Sequence, residues 1–473
     1  MRIVLMLALV MVIAVNVAKT EEPASFKPGG MRGANPLPLV VDVTPGPWKL
    51  PDGKIVNLTR TRLIIGRPDL FNYEDVTVVP QNRDQISDSW DPWHSDPGNK
   101  GWPGAMPLGP RRNPRDNTLL LGHLYRAVIP GSVVIQTRDG EKTFVLGEDY
   151  VLHPEWSQFA ALNGRLGEQG SPTLKTSISY VMQRIDLIQL SPDGKLSVKR
   201  GQSETVCPML PEPDPNHIAL AGVYIAPWKQ DRELLVEDDI FPLMPWAPPE
   251  PLNCRATAAI EKLKAGQEVK IAFVGASISV GAEAGAWWAD LWTEKNLGFP
   301  SRLVTALRRQ YPEATITPLT AFEGATTLPK GIESYMQKLH AQKPDVVIID
   351  YGTNDAHGPV GGAMSNPPEK FKEQMLDFAK RIQENGGEPI IITPSPPAPW
   401  LKNKQAERIV DFRSVIIDIG QTNNIAVADI YQGWMDLAKR GMPPFSQLHN
   451  NINHPGTFGH SVYSDALLPF FVE

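Results

Sequence analysis

The chain has 473 residues, enough for two or three domains and a sizeable core. Hydrophobic residues make up 42% and charged residues 21%, the balance of a globular protein. The formal net charge of −6 argues against a phosphate-backbone binder, which would need a basic face, so no nucleic-acid partner is expected.

The first residues read as a secretory leader. Arg2 is a minimal positive segment, Ile3 to Val15 form an apolar run too short to span a bilayer comfortably, and Ala18 is a plausible last residue before cleavage. A leader over residues 1–18 implies a secreted or periplasmic protein. No later stretch is long and apolar enough to cross a membrane, so no stable membrane insertion is expected after cleavage.

Residues 25–240 are rich in Pro and in short extended runs, and are expected to form a β-rich domain, with a sandwich as one candidate. Ser132 to Thr137 and Thr143 to Leu146 flank Arg138-Asp139-Gly140-Glu141, a hairpin signal. Ile185 to Leu190 and Leu196 to Lys199 flank a second one, Ser191-Pro192-Asp193-Gly194. The loop from about Pro80 to Asn117 carries Trp90, Trp93 and Trp102, which could stack on sugar rings or pack inward. Residues 241–264, opening with Phe241 to Asn253, read as a Pro-rich linker. Cys207 and Cys254 can pair in an oxidising compartment or remain separate thiols. Their spacing is not that of metal ligands, and neither a metal nor a cofactor is expected.

From residue 265 the pattern alternates strand and helix. Strands are predicted at Val269–Val274, Ala314–Leu319, Asp345–Ile349, Pro389–Thr393 and Ile425–Ile430. Helices are predicted at Ser301–Arg309, Ile332–Ala341, after Asn366-Pro367, and from Lys404 to Gly420. Phe371, Met375, Phe378 and Ile382 share one helix face, and Gly386-Gly387 ends that helix. This alternation predicts an α/β fold with a parallel sheet covered on both faces.

In such sheets, sites form where strands end, so the residues just after each strand carry the functional reading. The first strand ends in Gly275-Ala276-Ser277. The second is followed by Glu323-Gly324, and the third by Gly352-Thr353-Asn354-Asp355. The final loop holds Asn451-Ile452-Asn453-His454-Pro455. Acyl transfer needs a hydroxyl with a base in reach and preorganised donors for the oxyanion. Ser277 can serve as nucleophile and His454 as base. The backbone N–H groups of Ser277 and Gly324 and the side-chain amide of Asn354 can serve as donors.

These blocks, in this order, resemble the SGNH/GDSL hydrolase family over residues 265–473. The resemblance implies a flavodoxin-like three-layer fold and ester hydrolysis through an acyl-enzyme without a metal. Two positions depart from it. Ala276 stands where the family has Asp between Gly and Ser. Asn451 stands where the family has the triad Asp, three residues before the His. The substitution leaves three possibilities: a Ser277–His454 dyad, another carboxylate such as Asp355 or Asp465 folding in, or a domain without activity. His449 and His460 are rival bases. An insertion, Ala282 to Gly298, carries Trp287, Trp288 and Trp292 beside the proposed nucleophile. Trp287 and Trp288 are candidate substrate contacts.

The function expected from these features is a secreted serine esterase deacylating, in particular deacetylating, a carbohydrate ester. Alternatives are a lipase- or thioesterase-like hydrolase of longer acyl esters, a transferase moving acetyl groups between sugars, and a non-catalytic carbohydrate-binding protein on the same scaffold. The partner expected is an acylated carbohydrate or small ester. The sequence leaves the oligomeric state open.

Overall fold

A computed structural model describes residues 22–30, 38–78, 106–107, 109–112, 119–122, 125–153, 158–161, 174–230, 233–284, 289–357, 364–401 and 405–472. The expected leader, Trp90, Trp93, Trp102, Trp287 and Trp288 lie outside these residues. Among the described residues no helix is long and apolar enough to cross a membrane.

A five-stranded parallel sheet organises the C-terminal half. Its spatial order is Thr315–Phe322, Glu268–Gly275, Val346–Asp350, Glu388–Ile392 and Ala426–Ala428. In chain order this is 2-1-3-4-5, the flavodoxin-like winding, whose switch point lies at the ends of the first and third strands. Among the described residues eight α-helices accompany it: α1 (Thr257–Lys264), α2 (Ser277–Val280), α3 (Phe299–Gln310), α4 (Leu328–Lys338), α5 (Pro368–Glu384), α6 (Gln405–Asn423), α7 (Ile430–Met435) and α8 (Thr457–Leu467).

The central strands are largely apolar because both faces are covered. Ile271, Phe273, Ile348 and Ile390 join a core with Phe299 and Leu303 of α3 and Tyr463 and Leu467 of α8. Their chain neighbours Ala272, Val274, Val347, Ile349 and Ile391 join a second core with Tyr335 of α4, Phe371 and Phe378 of α5 and Phe412 of α6. The period of two along each strand thus fixes which helices lie on which face. The face of α5 foreseen in the sequence, Phe371, Met375, Phe378 and Ile382, is wholly buried. Each such side chain contributes about 1.5–3 kcal/mol. Gly386, at φ +87, ends the segment in a conformation that suits a residue without Cβ.

The N-terminal half is built of antiparallel sheets. A three-stranded sheet (Ser25–Gly29, Leu39–Thr44, Thr61–Ile65) shares a core with the four-stranded one (Leu196–Lys199, Arg184–Leu190, Ile218–Ile225, Ile240–Pro242). Leu39, Val41 and Ile65 of the first meet Ile188, Leu220 and Val223 of the second, face to face as in a sandwich. The hairpin expected around Ser191–Gly194 forms, with Leu190 opposite Leu196. Around Arg138–Glu141 the turn forms but pairing is limited to the bridge between Gln136 and Thr143. Val134–Gln136 pairs instead with Leu174–Val181.

The stretch 241–264 carries more order than its proline content implies. Phe241 and Pro242 extend an edge strand, Leu252 bridges to Val427, and α1 buries Ala259, Ile260 and Leu263. Proline is tolerated at an edge because it leaves no ladder bond unmade there.

The two halves are packed together. Ile185, Tyr224 and Ala226 belong to the same core as the parallel sheet. A Cβ at Gly222 would stand 1.9 Å from the Gly441 carbonyl oxygen, so the two backbones touch where neither residue has a side chain. Tyr125 stacks on Trp400 at 4.5 Å, and Trp228 meets both edge-on at 5.7 and 5.9 Å. Cys207 and Cys254 do not form a disulfide with each other. A Cβ on Gly456 would meet the Sγ of Cys207 at 2.6 Å, whereas the Sγ of Cys254 lies 3.5 Å from the Asn424 carbonyl oxygen.

Candidate active site

The first strand of the parallel sheet ends at Gly275, and Ser277 opens α2 two residues later. The N–H of Ser277 stands at the head of that turn, where a helix has no acceptor of its own. Gly275 is required by packing: a Cβ there would lie 2.0 Å from Ser279 Oγ and 3.1 Å from Asp350 Cβ. The chain therefore turns sharply enough to place the Ser277 hydroxyl above the sheet.

The partner comes from the other end of the domain. Ser277 Oγ lies 2.9 Å from His454 Nε2, across 177 positions of sequence. The loop carrying His454 is closed by the backbone bond from His449 N–H to the His454 carbonyl (2.8 Å) and by the bridge between Leu448 and Pro455. Its interior is held by a residue the sequence reading missed. Asn450 Oδ1 accepts the N–H groups of Ile452, Asn453 and His454, each at 2.9 Å. An Asn that folds its side chain onto the backbone ahead of it is a known turn signal, and the run Asn450-Asn451-Ile452-Asn453 carried it.

Asn451 adopts φ +57, a left-handed conformation that Asn tolerates better than most residues. Its N–H donates to Leu448, and its carbonyl accepts from Trp400 Nε1 at 3.1 Å. Trp400 is a second residue the sequence reading missed.

A narrow cleft opens beside Ser277, lined by Ala276, Ile278, Thr326, Asp350, Tyr351, Thr353 and Asn354. Its cavity volume of ≈ 10 Å³ is on the scale of a single water-sized group. Asn354 uses one amide N–H on the Thr326 carbonyl at 2.9 Å, which fixes the plane of the amide and leaves its second N–H. Gly324 does not line this cleft. It is exposed two residues before Thr326, and no protein atom comes within 4 Å of where its Cβ would stand, so the space beside its backbone is open. Ser277, His454 and Asn354 are thus brought together, with Gly324 at the open margin.

The rival groups sit elsewhere. Asp355 is fully buried and spends its oxygens on the N–H groups of Leu328 (3.0 Å) and Gly352 (3.1 Å) and the amide of Asn366 (2.9 Å). It ties the loop after the third strand rather than serving His454. Asp465 lies on the exposed side of α8, with Arg302 and Arg440 as its charged neighbours. His449 is buried against Glu283, Nδ1 to Oε2 3.0 Å. His460 is fully buried, and its Nδ1 accepts from the Phe299 N–H at 3.2 Å. Burial holds that imidazole down to about 3, so it stays neutral and out of reach of substrate. Trp292, of the insertion, packs inward on Phe273 at 5.6 Å. Among the described residues no group of three or more His, Cys, Asp or Glu converges as a metal site.

The family model of GDSL-like lipases and acylhydrolases matches residues 273–462. These residues form a GDSL-like lipase/acylhydrolase domain. The match supports a serine ester hydrolase of the SGNH type, and the three-layer α/β fold and the winding described above agree with it. No curated protein is significantly similar to the chain in sequence. Solved structures similar to it include Axe2, an acetylxylan esterase from Geobacillus stearothermophilus. It is 18% identical, with 43% of this chain and 94% of that one covered and a TM-score of 0.38. Another is LAE5, an alpha/beta hydrolase enzyme from the metagenome of Lake Arreo, Spain, 19% identical over the same shares, with a TM-score of 0.36. The N-terminal half matches no family model.

Proposed function

We propose that the protein is a secreted esterase that removes acetyl groups from a carbohydrate through an acyl-enzyme on Ser277. The observation that carries this reading is the 2.9 Å contact between Ser277 Oγ and His454 Nε2 beside a cleft of one-group size. Ser277 Oγ attacks the ester carbonyl carbon, its proton passes to His454 Nε2, and the carbonyl π pair moves to oxygen. The Ser277 N–H and the second N–H of the Asn354 amide are the donors for that oxyanion, with Gly324 left at the open margin of the cleft. Collapse expels the sugar alcohol, which takes the proton from His454. Water, deprotonated by the same imidazole, then attacks the acyl carbon; the bond to Ser277 Oγ breaks, that oxygen takes the proton back from His454, and acetate leaves.

The small cleft beside Ser277 is compatible with a short acyl group. The apolar leader and the appended β-rich half support an extracellular polymer as the source of the ester. The test is hydrolysis of nitrophenyl acetate, nitrophenyl octanoate and acetylated xylan, together with labelling by a fluorophosphonate. Expected are labelling and acetate release in the wild type, a preference for acetyl over octanoyl, and loss of both signals in Ser277→Ala. A folded wild type that neither labels nor hydrolyses any of the three would overturn the reading.

A further inference from the structure

A carboxyl group lies directly beneath the nucleophile and takes no part in the chemistry above. Asp350 ends the third strand of the sheet, paired in register with Gly275. It is buried, and its Oδ2 accepts the hydroxyl proton of Ser279 at 2.6 Å. Ser279 belongs to the same single helical turn as Ser277, and its Oγ fills the space left by the missing Cβ of Gly275. Asp350, Ser279 and Gly275 therefore lock the turn Gly275-Ala276-Ser277 to the sheet from the neighbouring strand. Asp350 also lines the cleft beside Ser277, and its other oxygen, Oδ1, has no hydrogen bond among the described residues.

Such a group is costly to keep unless it is used. Burial pushes this carboxyl up to about 6, the mark of a charge held where solvent cannot support it. A Ser279 bonded only to a backbone carbonyl would cap the same turn without that cost. Position 276, between Gly275 and Ser277, offers no carboxylate of its own because it is Ala.

We infer that Asp350 is a positioning residue for the nucleophile: acting through Ser279, it holds the Ser277 hydroxyl in line with His454. This rests on the reading of Ser277 as nucleophile. Ser279 does not line the cleft, so loss of the brace at that residue is felt in turnover and not in binding.

The experiment is a double-mutant cycle on nitrophenyl acetate with Ser279→Ala, Asp350→Ala and the pair combined, each checked for folding by circular dichroism. Ser279→Ala removes one oxygen and keeps the cycle readable should Asp350→Ala fold poorly. Each single variant is expected to lose about 10- to 100-fold in kcat, with KM within about twofold. The combined variant is expected to lose no more than the worse single one, since the two residues act as one device. The fluorophosphonate labelling rate of Ser277 should fall in parallel. Full kcat in Ser279→Ala, a loss carried by KM, or multiplicative losses in the pair would overturn the inference. A wild type that does not label at Ser277 would instead overturn the reading on which it rests.

Discussion

The indole N–H of Trp400 donates to the backbone carbonyl of Asn451 at 3.1 Å, three residues before the imidazole that meets Ser277. A side chain stacked on the N-terminal half thereby fixes the loop that supplies the proposed base. Trp400→Phe keeps an aromatic ring beside Tyr125 and removes this donor together with part of the ring packed on Trp228 and Phe445. The expected cost is about 1 kcal/mol of stability, read by urea unfolding. Turnover of nitrophenyl acetate should fall roughly fivefold as the loop loosens.

Asn450 should matter more than its neighbour Asn451 to the shape of the loop. Asn450→Ala removes one oxygen that serves three N–H groups. The expected loss is about 1–3 kcal/mol in unfolding free energy. Displacement of His454 should lower kcat by about 10²-fold, an effect that a 1 Å misplacement can produce. Wild-type turnover in Asn450→Ala would show that other contacts hold the loop.

The Asp350 carboxyl leaves a signature in the dependence of stability on pH. Its ordinary value is 3.8, and in the folded chain it is about 6. Between those values the folded state holds a proton that the unfolded state has released. Stability therefore falls as pH rises through that window and stays lowered above it. The gap corresponds to about 3 kcal/mol. Asp350→Asn removes the titration, so it should unfold at higher urea than the wild type at pH 7.5, with the difference closing near pH 4. A constant offset across that range would contradict this account of the group.

Gly222→Ala tests how tightly the halves are joined. Its Cβ would stand 1.9 Å from the Gly441 carbonyl oxygen, a backbone atom that cannot swing away. Overpacking of this kind is expected to cost about 3 kcal/mol. Urea unfolding should become biphasic as the β-rich half separates from the hydrolase domain. A single, unshifted transition would mean that the contact relaxes without loss.

The strand and helix alternation after residue 265 was legible because each element carries its own periodicity. Observed bounds differ from those expected by a few residues: Val269–Val274 became Glu268–Gly275, and Ser301–Arg309 became Phe299–Gln310. Helix α1 was hidden because it follows a proline-rich stretch and has only three buried residues, Ala259, Ile260 and Leu263. In the site, Ser277, His454 and Asn354 stood out because chemistry restricts which side chains can act there. Asn450, Trp400 and Asp350 did not, because their roles depend on partners distant in the chain or on the direction of one side chain. No spacing rule announces that Ser279 will reach across to the neighbouring strand.

The wall formed by Tyr125, Trp228 and Trp400 has a consequence for how this molecule could be dissected. A chain trimmed to the GDSL-like residues alone would strip Tyr125 and Trp228 from the indole that steadies Asn451. It would also bare the Gly441 ridge to water. Excising the β-rich portion is thus a perturbation of the proposed base itself, and an inert fragment would say nothing about what the intact chain can do.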